Sequence, residues 1–226
     1  MKKVLFFSLF LTQAFCMETT LLLIRHGETT WNKEQRMQGH TDMPLNEQGL
    51  MQAKRLAEMM RENHADIDLI YSSDLMRAYA TAQETAKQLD LEIKTSALLR
   101  EKNWGEAEGL FVVEKEALYA EGEEALKKTY PNHSERWKFS SIPGAETDYE
   151  VFKRMHEELS AIAKEHSGKK IAIFSHGRSI RMMMVKVLGT EEILGLPNCA
   201  VVHFSYVPEN TEQPFQFVKV ENMKSN

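Results

Sequence analysis

Two cysteines in 226 residues, Cys16 and Cys199, are too few for a disulfide framework or a thiolate zinc cluster. Their scarcity fits either a reducing cytosol or an exported protein that folds without disulfides. An excess of positive charge is also missing: 28 Lys and Arg stand against 33 Asp and Glu, for a net −5 and a pI near 5.9. Nucleic-acid binders are usually basic, so that partner class is disfavoured. An anionic substrate is still allowed, because a local basic pocket can sit in an acidic protein. There is no internal repeat, low-complexity tract or linker, and the length fits one domain with a substantial core.

Long apolar runs are absent as well. The longest lies at the N-terminus, where Lys2 and Lys3 precede the apolar run 4–11, a polar step (Thr12, Gln13) and the small residues Ala14 and Cys16. This is the layout of a secretory signal over residues 1–16, too short to span a membrane, so no membrane anchor is expected in the mature chain. A lipoprotein site at Cys16 is discounted because Phe15 is bulky and Gln13 polar. The competing reading takes Met17 as the true start. Export places the protein in the periplasm or medium, and a Met17 start places it in the cytoplasm.

What is present alternates between short apolar runs and amphipathic segments. Residues 20–24, 68–72, 91–98, 170–175, 201–206 and 215–220 read as strands. Helices are predicted over 46–61 (inward Leu50, Ala53, Ala57, Met60) and from Asp74 as cap to Leu89 (inward Leu75, Ala78, Ala82, Ala86, Leu89). Two more follow, over about 147–166 behind the capping box Thr147-x-x-Glu150 and over 178–188. Residues 105–143 read as a less regular segment with Glu- and Lys-rich helical pieces, placed as a lid within a domain spanning 17–226. Alternating strands and helices give an α/β fold: one three-layer domain, a mainly parallel central sheet, helices on both faces. In such folds ligands bind beyond the carboxyl ends of the strands.

Those ends hold Arg25-His26-Gly27, Ser72-Ser73-Asp74 with Arg77, Arg100-Glu101 and Ser175-His176-Gly177. Two His-Gly pairs 150 positions apart therefore both follow strands, and each glycine lets the backbone approach a ligand closely. Singly, each residue has a plain structural explanation. Jointly, two imidazoles, arginines and a carboxyl group at one sheet edge suggest phosphoryl transfer, since Arg matches phosphate bidentately and keeps its charge. A metal site is the competing chemistry, but it would recruit a further Asp, Glu or Cys, and two arginines would oppose a cation. No metal or cofactor is called for.

The run Leu23-Ile-Arg-His-Gly-Glu-Thr-x-Trp-Asn32 resembles the signature of the histidine phosphatase superfamily, with its phosphoglycerate mutase-like fold. The similarity continues through Gln38-Gly39, Asp42-x-Pro44-Leu45, Gly49, Gln52-Ala53, Ser72-Ser73-Asp74-Leu75-x-Arg77-Ala78, Thr81-Ala82, Leu99-Arg100-Glu101, Gly105, Glu108-Gly109, Pro143-Gly144-x-Glu146 and Ser175-His176-Gly177. It implies an enzyme in which His26 is the nucleophile and becomes a phosphohistidine. It implies that Arg25, Arg77 and His176 bind the phosphoryl oxygens, and that Glu101 serves as general acid and base. Asn32 and, more weakly, Gln38 are further substrate-binding candidates.

The stretch Glu101-x-x-x-Gly105-x-x-Glu108-Gly109 is similar to the small phosphatases of the family. Phosphoglycerate mutases tend to carry His-Tyr-Gly there and a longer basic insertion, whereas residues 111–141 lack an adjacent Arg pair. The resemblance therefore implies a phosphomonoester phosphatase acting on a small phosphorylated metabolite. A cofactor-dependent phosphoglycerate mutase is the alternative, and a catalytically inactive binding module the remote one. Oligomeric state is left open, a homodimer included. Trp104 is placed at the pocket mouth, while Trp31 and Trp137 are packing or lid residues. Met182–Met184 read as adaptable core. His40, His64, His133, His156, His166 and His203 are given no role.

Overall fold

The computed structural model describes residues 17–190 and 195–222, so the basic-apolar-small segment 1–16 lies outside the described residues. Six strands, β1 (Thr19–Arg25), β2 (Leu69–Ser73), β3 (Ile93–Ser96), β4 (Lys170–Ser175), β5 (Val201–Tyr206) and β6 (Phe215–Glu221), form one sheet in the order β3-β2-β4-β1-β5-β6. Pairings from β3 to β1 are parallel and those of β5 and β6 antiparallel, so the sheet is mainly parallel. The helices are α1 (Thr30–Lys33), α2 (Glu47–Asn63), α3 (Met76–Leu89), α4 (Val112–Thr129), α5 (His133–Arg136), α6 (Asp148–Glu165) and α7 (Gly177–Leu188). No described helix is long and apolar enough to cross a membrane.

The apolar run Leu21–Ile24 is wholly buried because β1 is covered on both faces. Alternate side chains divide between two cores. Leu21 and Leu23 pack with Met155, Leu159, Ile180 and Met183 of α6 and α7, while Leu22 and Ile24 pack with Leu56, Met60, Ala82 and Ala86 of α2 and α3. This is the three-layer arrangement expected from the sequence pattern. The Thr147–Glu150 capping box opens α6, whose Val151, Met155, Leu159 and Ile162 all face inward.

Three local expectations are corrected and a fourth is sharpened. Asp74 does not cap α3: Leu75 holds that position without a side-chain bond, and the Asp74 carboxylate instead takes both Nε and Nη2 of Arg100. Leu50 points outward from α2, half exposed, although Ala53, Ala57 and Met60 are buried as read. The third strand covers only 93–96 before a 3₁₀ turn at Ala97–Leu99. Finally, the segment 105–143 contains an 18-residue helix, α4, in which no residue is buried. Its Glu- and Lys-rich sequence has helix propensity but no apolar stripe, so periodicity gives little signal there.

Candidate active site

Strands β1 and β4 are parallel neighbours in register, Arg25 opposite Ser175, so the residues that follow them emerge side by side. His26 and His176 therefore meet despite their separation in sequence, with ring centroids 5.2 Å apart. The close approach depends on glycine. A Cβ on Gly27 would lie 2.7 Å from the Gly49 carbonyl oxygen at the start of α2, and one on Gly177 would lie 3.3 Å from Arg25 Nε.

His26 is buried and its tautomer is set by its partner. Nδ1 lies 2.6 Å from the Gly27 carbonyl, which can only accept, so Nδ1 carries the proton and Nε2 keeps its lone pair. Burial, with the charges of Arg77 and Arg25, holds this imidazole well below its ordinary value of 6.5. His176 is held well below 6.5 by burial, Arg77 and His26 in turn, and its Nε2 meets Ser73 Oγ at 2.9 Å. Both rings are thus neutral at pH 7.

Arg77 extends from the first turn of α3 and is fully buried. It donates to the Gly39 carbonyl (2.7 Å) and the Thr41 carbonyl (3.1 Å), and burial pushes it down to about 10. Arg25 donates to the Leu196 carbonyl. Three buried nitrogens around His26 have no hydrogen-bond partner among the described residues: Arg25 Nε, Arg77 Nε and His176 Nδ1. A buried donor left unpaired costs roughly 1–3 kcal/mol, so such a cluster marks where a ligand rich in acceptors belongs.

Glu101 sits against the N-terminus of α7. Its Oε1 accepts from the Ser179 backbone N–H (3.1 Å), Ser179 Oγ (3.3 Å) and the Lys102 N–H (2.8 Å), and its Oε2 from the Arg178 N–H (3.1 Å). Orphan amides at a helix start suit a carboxylate, and they fix its direction. The backbone of residues 98–101 is pinned by Arg154, which donates to the carbonyls of Leu98, Arg100 and Glu101 while paired with Glu146. That pairing gives the Pro143-Gly-x-Glu146 motif its structural purpose.

Of the residues read from the sequence, Arg25, His26, Asn32, Gln38, Glu101 and Trp104 line one cavity of about 240 Å³. Arg77 and His176 are gathered beside His26 without being among the residues that line that cavity. Arg100 is turned away to Asp74. Asn32 Oδ1 accepts from the Thr29 N–H and from Asn198, and Gln38 Oε1 accepts from Thr29 Oγ1. Trp137 belongs to a small core with Val151, Met182 and Val185.

Several contributors were given no role from the sequence, although Thr81 lies within the matched motif Thr81-Ala82. Asn198 donates to the His26 carbonyl (2.9 Å), and Thr81 Oγ1 accepts the Gly27 N–H (3.0 Å). Arg36, Arg178 and Arg181 add positive charge to the cavity wall. The spacing of Arg178 and Arg181 at i and i+3 after His176-Gly177 was the available signal for those two.

The buried imidazoles make the fold acid-sensitive. Their folded values lie below the unfolded value of about 6.5, so falling pH protonates the unfolded chain first. The stability they confer is complete above about pH 6.5 and declines beneath it, by up to about 1.4 kcal/mol per pH unit for each ring. Urea midpoints are expected to fall between pH 7 and pH 5, and the His26→Ala variant to show a slope smaller by about one proton. A midpoint independent of pH over this window contradicts the buried neutral pair.

Comparison with known proteins agrees with this geometry. The family model of the histidine phosphatase superfamily (branch 1) matches residues 21–214. Phosphoglycerate mutase-like protein 4 of Arabidopsis thaliana is 36% identical over 165 residues, 72% of this chain and 68% of that protein. A probable phosphoglycerate mutase GpmB of Yersinia pestis is 35% identical over 188 residues, 81% of this chain and 83% of that one. Among solved structures, the phosphoserine phosphatase of Entamoeba histolytica in complex with 3-phosphoglyceric acid superposes with a TM-score of 0.72 at 25% identity. It covers 91% of this chain and 98% of its own. With the fold, the paired His-Gly strand ends and the family match in agreement, the chain belongs to branch 1 of the histidine phosphatase superfamily.

Proposed function

We propose that the protein is a phosphomonoester phosphatase that works through a phosphohistidine at His26, on a small phosphorylated metabolite. The observation that carries this reading is the neutral His26, its Nδ1–H committed to the Gly27 carbonyl, surrounded by the unpartnered donors Arg25 Nε and Arg77 Nε and the unpartnered ring nitrogen His176 Nδ1. A phosphoryl group supplies the acceptors those donors lack, and Nε2 supplies the lone pair.

In the first step His26 Nε2 bonds to phosphorus as the ester P–O bond breaks, and the leaving oxygen takes a proton from Glu101. In the second, water attacks phosphorus, gives its proton to Glu101, and the P–N bond breaks to release phosphate and neutral His26. Each displacement is easier than direct attack by water. Arg25, Arg77 and His176 hold the equatorial oxygens, whose charge must be neutralised during an in-line transfer. Asn32 and Gln38 contribute to substrate binding from the cavity wall.

The relatives named as phosphoglycerate mutases support a second reading, in which the phosphoryl group returns to a bound intermediate. The lining of the His26 cavity favours hydrolysis, since Lys115, Lys127, Lys128, Arg136 and Lys138 are not part of it, although Lys115 and Arg136 line an adjoining pocket that shares Trp104 and Arg178. Lys127 pairs with Glu124 on the surface, Arg136 donates to the carbonyls of Tyr130 and Pro131, and neither lines the His26 cavity. A panel of phosphomonoesters that includes 3-phosphoglycerate, with and without 2,3-bisphosphoglycerate, separates the two. Phosphate release from several esters is expected; isomerisation without release would establish the mutase instead.

A further inference from the structure

On the α2 side of the sheet a second cluster has no part in phosphoryl transfer. Antiparallel β5 and β6 place His203 opposite Lys219, with Glu221 two residues further along β6 on the same face. Helix α2 ends beside them, and its C-cap residue His64, whose N–H bonds the Met60 carbonyl at 2.8 Å, brings a second imidazole to the same point. His64 Nε2 lies 3.2 Å and His203 Nε2 3.1 Å from the same oxygen, Glu221 Oε2. The three donor atoms lie within 4.8 Å of one another. Only 6% of His64 and 7% of His203 is exposed.

The arrangement is crowded for a hydrogen-bond network. Lys219 Nζ approaches the same Oε2 at 3.5 Å, so three nitrogens converge on one carboxylate oxygen. One ion bound through both Nε2 lone pairs and Oε2 satisfies the three atoms together. We propose that His64, His203 and Glu221 form a binding site for a divalent transition-metal ion of the zinc type, separate from the His26 site.

Two imidazole nitrogens and one carboxylate oxygen are a zinc donor set, and one that calcium or magnesium, which want oxygen ligands, would not select. Tetrahedral bonds of about 2.0–2.2 Å place ligand atoms roughly 3.3–3.6 Å apart, so the two N···O separations of 3.2 and 3.1 Å need to open by a few tenths of an ångström, while the two imidazole nitrogens, within 4.8 Å of each other, need to draw together. Three protein ligands leave a fourth position for water. The ion ties the end of α2 to the edge strand β6, and it stabilises the folded chain by mass action because the unfolded chain does not hold the three groups together.

The test uses the full chain after exhaustive chelation, with Zn²⁺ titrated against a chromophoric chelator. One ion per chain is expected, with micromolar affinity or better, together with a rise in Tm of several degrees. Co²⁺ in its place is expected to give the visible bands of a tetrahedral ion. His203→Gln and Glu221→Gln should each weaken binding at least ~10-fold; Glu221 is partly exposed, so its variant is the safer to fold. Binding should persist in His26→Ala, and turnover of the chelated protein should be unchanged. No binding tighter than about 100 μM reduces the cluster to a histidine–carboxylate ion pair and overturns the proposal. Binding lost in His26→Ala but kept in Glu221→Gln places the ion in the catalytic cavity and overturns it equally.

Discussion

Replacing His26 by alanine is expected to lower kcat by roughly 10⁴-fold or more and to abolish any phosphoenzyme, because the group that splits the reaction into two steps is gone. The expected size follows from what His26 does in the fold. Its Nδ1–H points at the Gly27 carbonyl, so Nε2 is aimed and neutral before substrate arrives. No neighbour duplicates that lone pair: Glu101 is bound to the start of α7 and His176 Nε2 faces Ser73 Oγ. Substrate binding should survive, since Arg25 and Asn32 still line the cavity. A change in KM as large as that in kcat would instead assign His26 to binding.

Glu101→Gln is expected to cost roughly 10²–10⁴-fold in kcat with alkyl phosphates and much less with p-nitrophenyl phosphate. The alkyl leaving oxygen needs a proton as the ester bond breaks, whereas p-nitrophenolate leaves without one. This contrast isolates proton transfer from structural damage. The substitution also turns one amide N–H₂ toward the donors of Arg178, Ser179 or Lys102, and any resulting distortion would slow both substrates alike. Equal losses on the two esters, in a variant with wild-type circular dichroism, would remove Glu101 from the acid role and leave it as an anchor for α7.

How far the sequence alone led depended on whether the signal was local. The run Leu21–Ile24 and the Thr147–Glu150 box carry their structure within a few residues, and both elements lie where they were read. The two His-Gly pairs were legible as strand ends; that β1 and β4 are adjacent and in register, which brings them together, was not. Asp74 had the residue type and position of a helix cap, but the Arg100 guanidinium, brought close by the return of the chain after β3, took its carboxylate. Asn198 reaches His26 through the antiparallel pairing of β5 with β1, and Arg154 reaches the Glu101 backbone from α6. Neither contact has a counterpart in spacing. His64 and His203 had no visible relation in sequence, since a helix end and a strand centre meet at Glu221 only in the folded chain.

The most direct test is rapid quenching of the wild-type enzyme during turnover of a labelled phosphomonoester, followed by mapping of the label. The account predicts an acid-labile, base-stable phosphoryl group on the peptide carrying His26, formed at least as fast as phosphate is released and absent from His26→Ala. Label on another residue, or full turnover with no label on His26 at any time, would contradict it.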